Sequence, residues 1–115
     1  MESSSEKIRA LNDRFRRGDT SIPGHVVITL GVKALVDEHE GFGLEHVAAE
    51  VSSFDAFTPD NDPYGEHDFG AFEFLGQKLF WKIDYYAPGL DAGAEDPGDP
   101  WKSVRVLTIM LACEY

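Results

Sequence analysis

The stretch FGAFEFLGQKLFWKIDYY, residues 69 to 86, decides the fold. Apolar and polar side chains alternate along it on both sides of Gly76, which is typical of two β-strands joined by a tight turn. A type II′ turn favours glycine at its first central position, so Gly76 and Gln77 are predicted to form the turn. The stretch therefore predicts a β-hairpin.

Two elements are predicted before the hairpin. Residues 4 to 17 carry apolar side chains three and four positions apart and are followed by Gly18, which predicts an amphipathic helix with Ser4 or Ser5 as its N-cap. The segment HVVITLG, residues 25 to 31, is short and rich in β-branched side chains. It predicts a strand in the centre of the sheet.

The remaining segments predict helices around this sheet. VKALVDEHE (32 to 40) and LEHVAAEVSSF (44 to 54) each have apolar positions that fit a short helix. Residues 87 to 100, rich in Pro, Gly, Asp and Ala, predict a long loop. Asp99 and Pro100 then resemble an N-cap and a first-turn proline, which favours a C-terminal helix, although VRVLTI leaves a strand open. The fold class predicted is α+β, a single layer sandwich in which about four helices pack on a small antiparallel sheet of one strand plus the hairpin.

Size and composition restrict the class of protein. A chain of 115 residues with 43% hydrophobic residues fits one domain, residues 1 to 115, with a real core. The apolar run near residues 104 to 113 is too short to span a bilayer, so no membrane passage is expected. The polar N-terminal stretch lacks the apolar region of a secretory signal, which predicts a cytoplasmic protein. A single cysteine, Cys113, excludes an internal disulfide.

The charge is unevenly distributed along the chain. The formal net charge is −11, and between Lys33 and Lys78 there are eleven acidic residues and no Lys or Arg. Such a block repels phosphate backbones and attracts basic surfaces, so direct nucleic-acid binding is disfavoured. A solvated acidic surface that only keeps the protein in solution is the alternative interpretation.

The most unusual motif is TPDNDPYGEHDFG, residues 58 to 70. Its carboxylates and imidazole are ligand types that Ca²⁺, Mg²⁺, Mn²⁺ or Zn²⁺ accept. The register of an EF-hand fails, because the twelfth position counted from Asp60 is Ala71. A polar turn in which Asp and Asn side chains bond nearby amides is the other interpretation, and the pattern favours it over a metal site. The candidate metal ligands are Asp60, Asp62, Glu66, His67 and Asp68.

Acid/base chemistry is a further interpretation of the same region. His67 and Glu66, together with Lys82 and Asp84 of the hairpin, would combine proton carriers with an ion pair. Strand alternation places Lys82 and Asp84 on one face, so a solvent-exposed pair explains them as well. The chain has no nucleophile elbow, phosphate-binding loop or glycine-rich dinucleotide fingerprint.

Three motifs resemble a family of small bacterial proteins with a domain of unknown function. They are DNDPYGEHDFG (60 to 70), FWKIDYY (80 to 86) and VLTIMLACEY (106 to 115), and the resemblance extends from about residue 8 to the C-terminus. Members of that family are often encoded on plasmids, phages and other mobile DNA. The resemblance implies one domain and no particular chemistry.

The favoured hypothesis is a non-enzymatic acidic protein that docks on a basic protein surface. The mobile-element setting implied by the resemblance suggests a nucleic-acid mimic that inhibits a host defence complex of the CRISPR or restriction type. No cofactor is expected. A metal-dependent or acid/base enzyme, centred on residues 60 to 68 and using a divalent ion, is the alternative. The predicted contact residues are Asp60, Asp62, Tyr64, Glu66, Asp68, Asp91, Glu95, Asp96 and Trp101.

Overall fold

The computed structural model describes residues 3–115, and its helices and strands form one mixed fold. The elements are α1 (Ser4–Arg16), β1 (Gly24–Ile28), α2 (Leu30–Asp37), α3 (Leu44–Ser53), β2 (Phe69–Phe74), β3 (Gln77–Tyr86), β4 (Val104–Leu111) and a terminal 3₁₀-helix, Ala112–Glu114. The predicted α+β class is confirmed. Within the described residues, no helix has both the length and the apolar character required to cross a membrane.

The four strands form one sheet in the order β1-β4-β3-β2. The pairs β2/β3 and β3/β4 are antiparallel, whereas β1 and β4 are parallel. The sheet is therefore mixed, and the predicted antiparallel sheet of one strand plus a hairpin is wrong in composition. The predicted central position of β1 is also wrong: β1 is an edge strand because β4 lies between it and β3.

The predicted C-terminal helix is strand β4, so three α-helices rather than four pack on the sheet. Arg105, Leu107 and Ile109 are buried at every second position, which is the period of a strand. Asp99 does not cap a helix. Its carboxylate accepts a hydrogen bond from the Trp101 amide at 2.9 Å and closes a turn before β4.

The predicted hairpin is confirmed, with a different turn. Phe74 and Gln77 are the last paired residues, so the central residues are Leu75 and Gly76. Their φ angles are 51° and 80°. Two consecutive positive φ angles define a type I′ turn rather than the predicted type II′ turn. The turn twists in the same sense as the strands it joins.

Hydroxyl side chains cap the N-termini of α1 and α2 and define where these helices begin. The Ser3 side chain, rather than Ser4 or Ser5, caps α1 by accepting a hydrogen bond from the Glu6 amide at 3.2 Å. Thr29 caps α2 in the same way, through the amide of Val32. The predicted strand therefore ends before this cap, and Leu30 already belongs to the helix.

The hydrophobic core lies between the three helices and one face of the sheet. Trp81 of β3 is fully buried at its centre, in contact with Phe54 and Phe57 beyond α3. The other buried members of this cluster are Val32, Leu35, Val36, Val47, Val51, Phe74, Leu79, Ile83, Leu107 and Ile109. Because neighbouring residues of a strand point to opposite faces, Lys82 and Asp84 lie on the face without helices, which we call the open face.

The C-terminus covers part of the open face. The Tyr115 ring packs edge-on against Phe69 and Phe80, with ring centres 6.1 and 5.6 Å apart. The Glu114 carboxylate anchors this segment, because it accepts hydrogen bonds from the Thr29 hydroxyl at 2.7 Å and the Leu111 amide at 2.8 Å.

Candidate functional site

The motif at residues 58 to 70 folds as a loop stabilised by its own polar side chains. The side-chain oxygen of Asn61 accepts a hydrogen bond from the Thr58 backbone amide at 2.8 Å, and its side-chain nitrogen donates to the Ala56 backbone carbonyl at 2.9 Å. Gly65 has a φ of 68°, in the left-handed region that glycine adopts easily. This is the bonding pattern of a polar turn.

Side chains of helix α1 fix the loop by donating hydrogen bonds to backbone carbonyls of the loop. The guanidinium of Arg9 donates to the Gly65 carbonyl at 3.2 Å, and the Asn12 side chain donates to the Glu66 carbonyl at 2.9 Å. Both bonds join residues more than fifty positions apart in the chain. The loop is therefore positioned by tertiary contacts as well as by its own turns.

His67 is the most constrained side chain of the loop. Its Nδ1 lies 2.9 Å from the Asp13 carboxylate of α1, and that carboxylate also accepts from Arg16 at 3.0 Å. The imidazole stacks on Phe57 with ring centres 3.7 Å apart. The Asp62 carboxylate accepts a hydrogen bond from the His67 amide at 3.2 Å, and its second oxygen lies 3.6 Å from Nε2. The ring is thus fixed between two carboxylates and an aromatic face.

A buried polar network lies beside this cluster. The Asn12 side-chain oxygen accepts from Arg105 Nε at 2.6 Å, while its nitrogen donates to the Tyr85 hydroxyl at 2.8 Å. Arg105 also donates to the Ser103 hydroxyl at 3.1 Å and to the Pro97 carbonyl at 2.5 Å. The network connects α1, β3 and β4 to the loop that precedes β4. Burial lowers the pKa of Arg105 and raises that of the Tyr85 phenol.

Two carboxylates of the motif face the protein rather than solvent. Burial raises the pKa of Glu66, and the nearby charge of Asp68 adds to this, while a hydrogen bond from Tyr85 opposes it. Burial also raises the pKa of Asp68, with the charges of Asp62 and Asp84 adding to the effect. Both groups are less easily ionised in the folded protein than in the unfolded chain.

The raised pKa of Asp68 predicts a pH-dependent cost in stability. Above that pKa the folded state carries a carboxylate that the unfolded chain solvates better, whereas below the ordinary value of 3.8 the group is neutral in both states. We expect Asp68→Asn to melt at a higher temperature than the wild type at pH 7. The difference should shrink as the pH falls through the raised pKa, in melting curves from about pH 4 to about pH 7.

The exposed Asp60→Asn variant is the control for this experiment, because it removes the same charge without relieving a buried carboxylate. A difference between Asp68→Asn and the wild type that stays constant with pH, or widens toward low pH, would contradict the prediction.

The structure separates the nine predicted contact residues into two groups. Tyr64 and Trp101 are 78% and 88% exposed, which leaves most of each side chain accessible to a partner. The exposed acids among the nine are Asp60, Asp91, Glu95 and Asp96. The other three are partly buried: Asp62 lies beside His67, Glu66 accepts a hydrogen bond from Tyr85, and burial raises the pKa of Asp68.

The two loops that carry these exposed residues contact the same helix. Gly98 packs on α1 so closely that an added Cβ would lie 3.3 Å from the Lys7 Cβ and 3.8 Å from Ile8. Gly65 of the other loop is held by Arg9, one residue further along. The loops around Tyr64 and around residues 95 to 99 therefore both contact the first half of α1.

Few of the acids are neutralised by nearby bases. Within residues 3–115, the Lys and Arg ion pairs are Arg14–Asp19, Arg16–Asp13, Lys33–Asp37 and Lys82–Asp84. Eight of the eleven acids between Lys33 and Lys78 are exposed, and within residues 3–115 only one of these, Asp37, is paired with a Lys or Arg. The exposed acids therefore leave this part of the chain with a strongly negative charge balance.

The residues of the alternative enzyme interpretation are not all brought together. Lys82 and Asp84 form an ion pair of 2.8 Å on the open face, whereas His67 is held by α1 on the helical side. For a metal, the described part of the chain contains no group of three or more His, Cys, Asp or Glu side chains arranged to hold an ion.

Sequence reasoning missed the residues that organise the site: Asn12, Asp13 and Arg105. One signal was available, because Asn12 follows Ile8 by four positions and so lies on the apolar stripe of α1. A polar residue in such a stripe indicates a buried hydrogen-bond network. Arg105 also indicates such a network, but only if residues 104 to 111 are recognised as a strand, in which Arg105 and Leu107 point to the same buried face.

These observations define a small α+β protein with a strongly acidic charge balance and with the exposed aromatic side chains of Tyr64 and Trp101 on its loops. The chain belongs to the family described as a protein of unknown function (DUF3768), whose model matches residues 28–114. The predicted membership of a family with a domain of unknown function is thus confirmed. No curated protein and no solved structure matches the chain.

Proposed function

We propose that the chain is a non-enzymatic, acidic binding protein that docks on a basic protein surface. The observation that carries this proposal is the set of exposed acids that lack a Lys or Arg partner within residues 3–115, together with the exposed rings of Tyr64 and Trp101. Unpaired charges raise the rate of encounter with a basic partner, and buried aromatic anchors supply most of the affinity.

The loops that carry the two rings are each held by a hydrogen bond from an arginine side chain. Arg9 holds the carbonyl next to Tyr64, and Arg105 holds the Pro97 carbonyl four residues before Trp101. An ordered loop loses less conformational entropy on binding than a mobile one, so more of the contact energy appears as affinity. These hydrogen bonds thereby position the loops that carry the proposed contact residues.

The partner class follows from the charge. A basic protein groove that normally binds nucleic acid would accept carboxylates in place of phosphates. The resemblance to proteins of mobile elements favours a defence complex of the CRISPR or restriction type as the target of such a mimic. This partner class implies a cytoplasmic protein that neither binds nucleic acid directly nor enters a membrane.

Capture from bacterial extract on the immobilised protein tests the proposal. We expect proteins with basic surfaces to be retained at about 0.05 M salt and released at about 0.5 M, because screening weakens long-range attraction. The triple variant Asp91→Asn, Glu95→Gln, Asp96→Asn should lose at least about tenfold in retention, and so should Trp101→Ala. Quantitative mass spectrometry provides the readout.

The matched control changes three exposed acids elsewhere in the chain, Glu38→Gln, Glu40→Gln and Glu50→Gln. It has the same net charge as the triple loop variant, so equal losses would indicate non-specific attraction to the whole protein. Partners that stay bound unchanged at high salt, or that ignore both sets of changes, would count against the proposal.

An acid/base enzyme centred on His67 is the second candidate. The observation in its favour is the short contact between His67 and Asp13, beside an open cavity of about 460 Å³ lined by Arg9 and Tyr64. A histidine oriented by a carboxylate at a cavity is a common acid/base arrangement. A clear rise in melting temperature with a divalent cation would favour the metal-dependent form of this candidate.

A further inference from the structure

Within residues 3–115, no strand pairs with the outer edge of β1, whose backbone hydrogen-bonding groups are unused. The Pro23 carbonyl accepts from the Arg105 amide at 3.1 Å, and the Thr29 amide donates to the Ile109 carbonyl at 3.1 Å. In a parallel pair of strands, every second residue directs its N–H and C=O groups to the neighbouring strand. The residues of β1 at odd positions therefore form backbone hydrogen bonds with β4. The residues whose N–H and C=O groups point to the free edge are therefore Gly24, Val26 and Ile28.

This edge lacks the features that usually protect a strand from pairing. The segment GHVVI contains no Asp, Glu, Lys, Arg or Pro, although natural edge strands commonly carry charges, prolines or bulges. Val26 and Val27 are 56% and 45% exposed. The other edge of the sheet, β2, carries the exposed Glu73 next to its last residue.

Two apolar cavities lie on the helical side of this edge, and Val26 borders both of them. One, of about 300 Å³, is lined by Ala48 and Ala49 of α3. The other, of about 390 Å³, is lined by Phe15 and Ile22. Side chains of an added strand that point to the helical side would enter these cavities, since alternate residues share a face.

We propose that the occupant is a second copy of this chain, paired antiparallel along β1 about a two-fold axis at Val26. The outward residues read Gly24, Val26, Ile28, so this register places Val26 opposite Val26 and each Ile28 opposite a Gly24. The largest side chain thus faces the smallest, beside the cavity that borders Gly24. The product is a continuous eight-stranded sheet with an isologous interface.

Charges of both signs border this edge. Arg17 and Glu45 line the cavity on the Ile28 side of Val26, and Asp19, which pairs with Arg14, lines the cavity on the Gly24 side. A two-fold axis reverses this order in the second copy, so each Asp19 approaches both Arg17 and Glu45 of the other, and the attraction of Arg17 offsets the repulsion of Glu45. Chains of net charge −11 repel each other elsewhere, whereas this uncharged strand permits close approach.

The pairing does not depend on the proposed function. The edge lies at the C-terminal end of α1, where Phe15 and Arg17 border the cavities. The Tyr64 and Trp101 loops instead contact the N-terminal half of the same helix. Failure of one proposal therefore leaves the other open, and separate variants test them.

Sedimentation velocity of the purified full chain from about 1 to about 500 µM tests the pairing, because self-association depends on concentration. We expect a dimer for the wild type. Val26→Lys places two like charges at the axis and should weaken the dimer at least about a hundredfold. Val26→Pro should act similarly, because it removes an outward N–H and leaves the ladder with β4 intact.

Val27→Lys is the matched control, since the same substitution at the neighbouring valine points to the open face and should leave the dimer unchanged. Circular dichroism must show that each variant is folded. A wild type that is monomeric throughout this range overturns the proposal. The proposal also fails if the monomeric protein binds an extended peptide of another protein along β1 instead. A dimer that survives Val26→Lys, or that Val27→Lys alone dissociates, also overturns it.

Discussion

Arg105→Ala is expected to lower the free energy of unfolding by about 3 to 5 kcal/mol, because removing one member of a buried charged network leaves its partners unsatisfied. The guanidinium is fully buried and bonds to Asn12, Ser103 and the Pro97 carbonyl. Its plane also lies over the Tyr85 ring, 5.1 Å from the ring centre. Truncation therefore loses hydrogen bonds, packing and a cation–π contact together.

Urea denaturation followed by circular dichroism measures this loss, with Arg14→Ala as the control. Arg14 forms an exposed ion pair with Asp19 at 2.9 Å, and such pairs contribute at most about 1 kcal/mol. Arg105→Lys should not restore stability, because an ammonium cannot reproduce three bonds from a planar fork. A loss below about 1 kcal/mol for Arg105→Ala would show that the network contributes little.

Trp81→Ala is the second change with a large expected effect, about 3 to 5 kcal/mol of unfolding free energy. The indole is fully buried and packs edge-on against Phe54 and Phe57, with Arg16 4.9 Å from its ring centre. It fits because Gly70 lies opposite: a Cβ at that position would overlap the indole nitrogen. Removal of the ring leaves a large cavity at the centre of the core.

Trp101→Ala is the matched control for this prediction. The same substitution at a tryptophan that is 88% exposed should change stability by no more than about 0.5 kcal/mol. Chemical denaturation of both variants gives the comparison. Equal losses at the two positions would contradict the described burial. The pair also separates stability from binding, since only Trp101 belongs to the proposed contact surface.

Elements with a strong local pattern could be predicted from the sequence. The hairpin follows from alternation around Gly76, and α1 follows from apolar spacing between a serine cap and Gly18. These signals are local because each depends on residues within one turn or one strand pair. The exact turn type could not be predicted, since it depends on whether Leu75 accepts a positive φ.

The C-terminal segment shows where local patterns fail. Val106, Leu107, Met110 and Leu111 fit one face of a helix, and Val104 to Ile109 also fit a strand. The strand is stable because β3 and β1 are available on both sides to satisfy its backbone groups. The paired residues of those strands lie at least eighteen positions away in the chain, so no local pattern reveals them.

The same distinction applies to the candidate site. The sequence predicted the exposed rings of Tyr64 and Trp101 as anchors without showing what holds their loops. The structure supplies Arg9, Asn12 and Arg105 as the residues that fix the loops. Asp62, Glu66 and Asp68 belong to the same acidic motif as Asp60, yet only the tertiary contacts turn them inward.

The sequence by itself determined the α+β class, the hairpin, the net charge and the acidic block, because composition and short-range periodicity are properties of the chain alone. Only the tertiary structure decided that β4 lies in the centre of the sheet, that β1 has a free edge and that His67 meets Asp13. These features depend on contacts between distant residues, whose free energy is gained only when the whole sheet and its helices assemble.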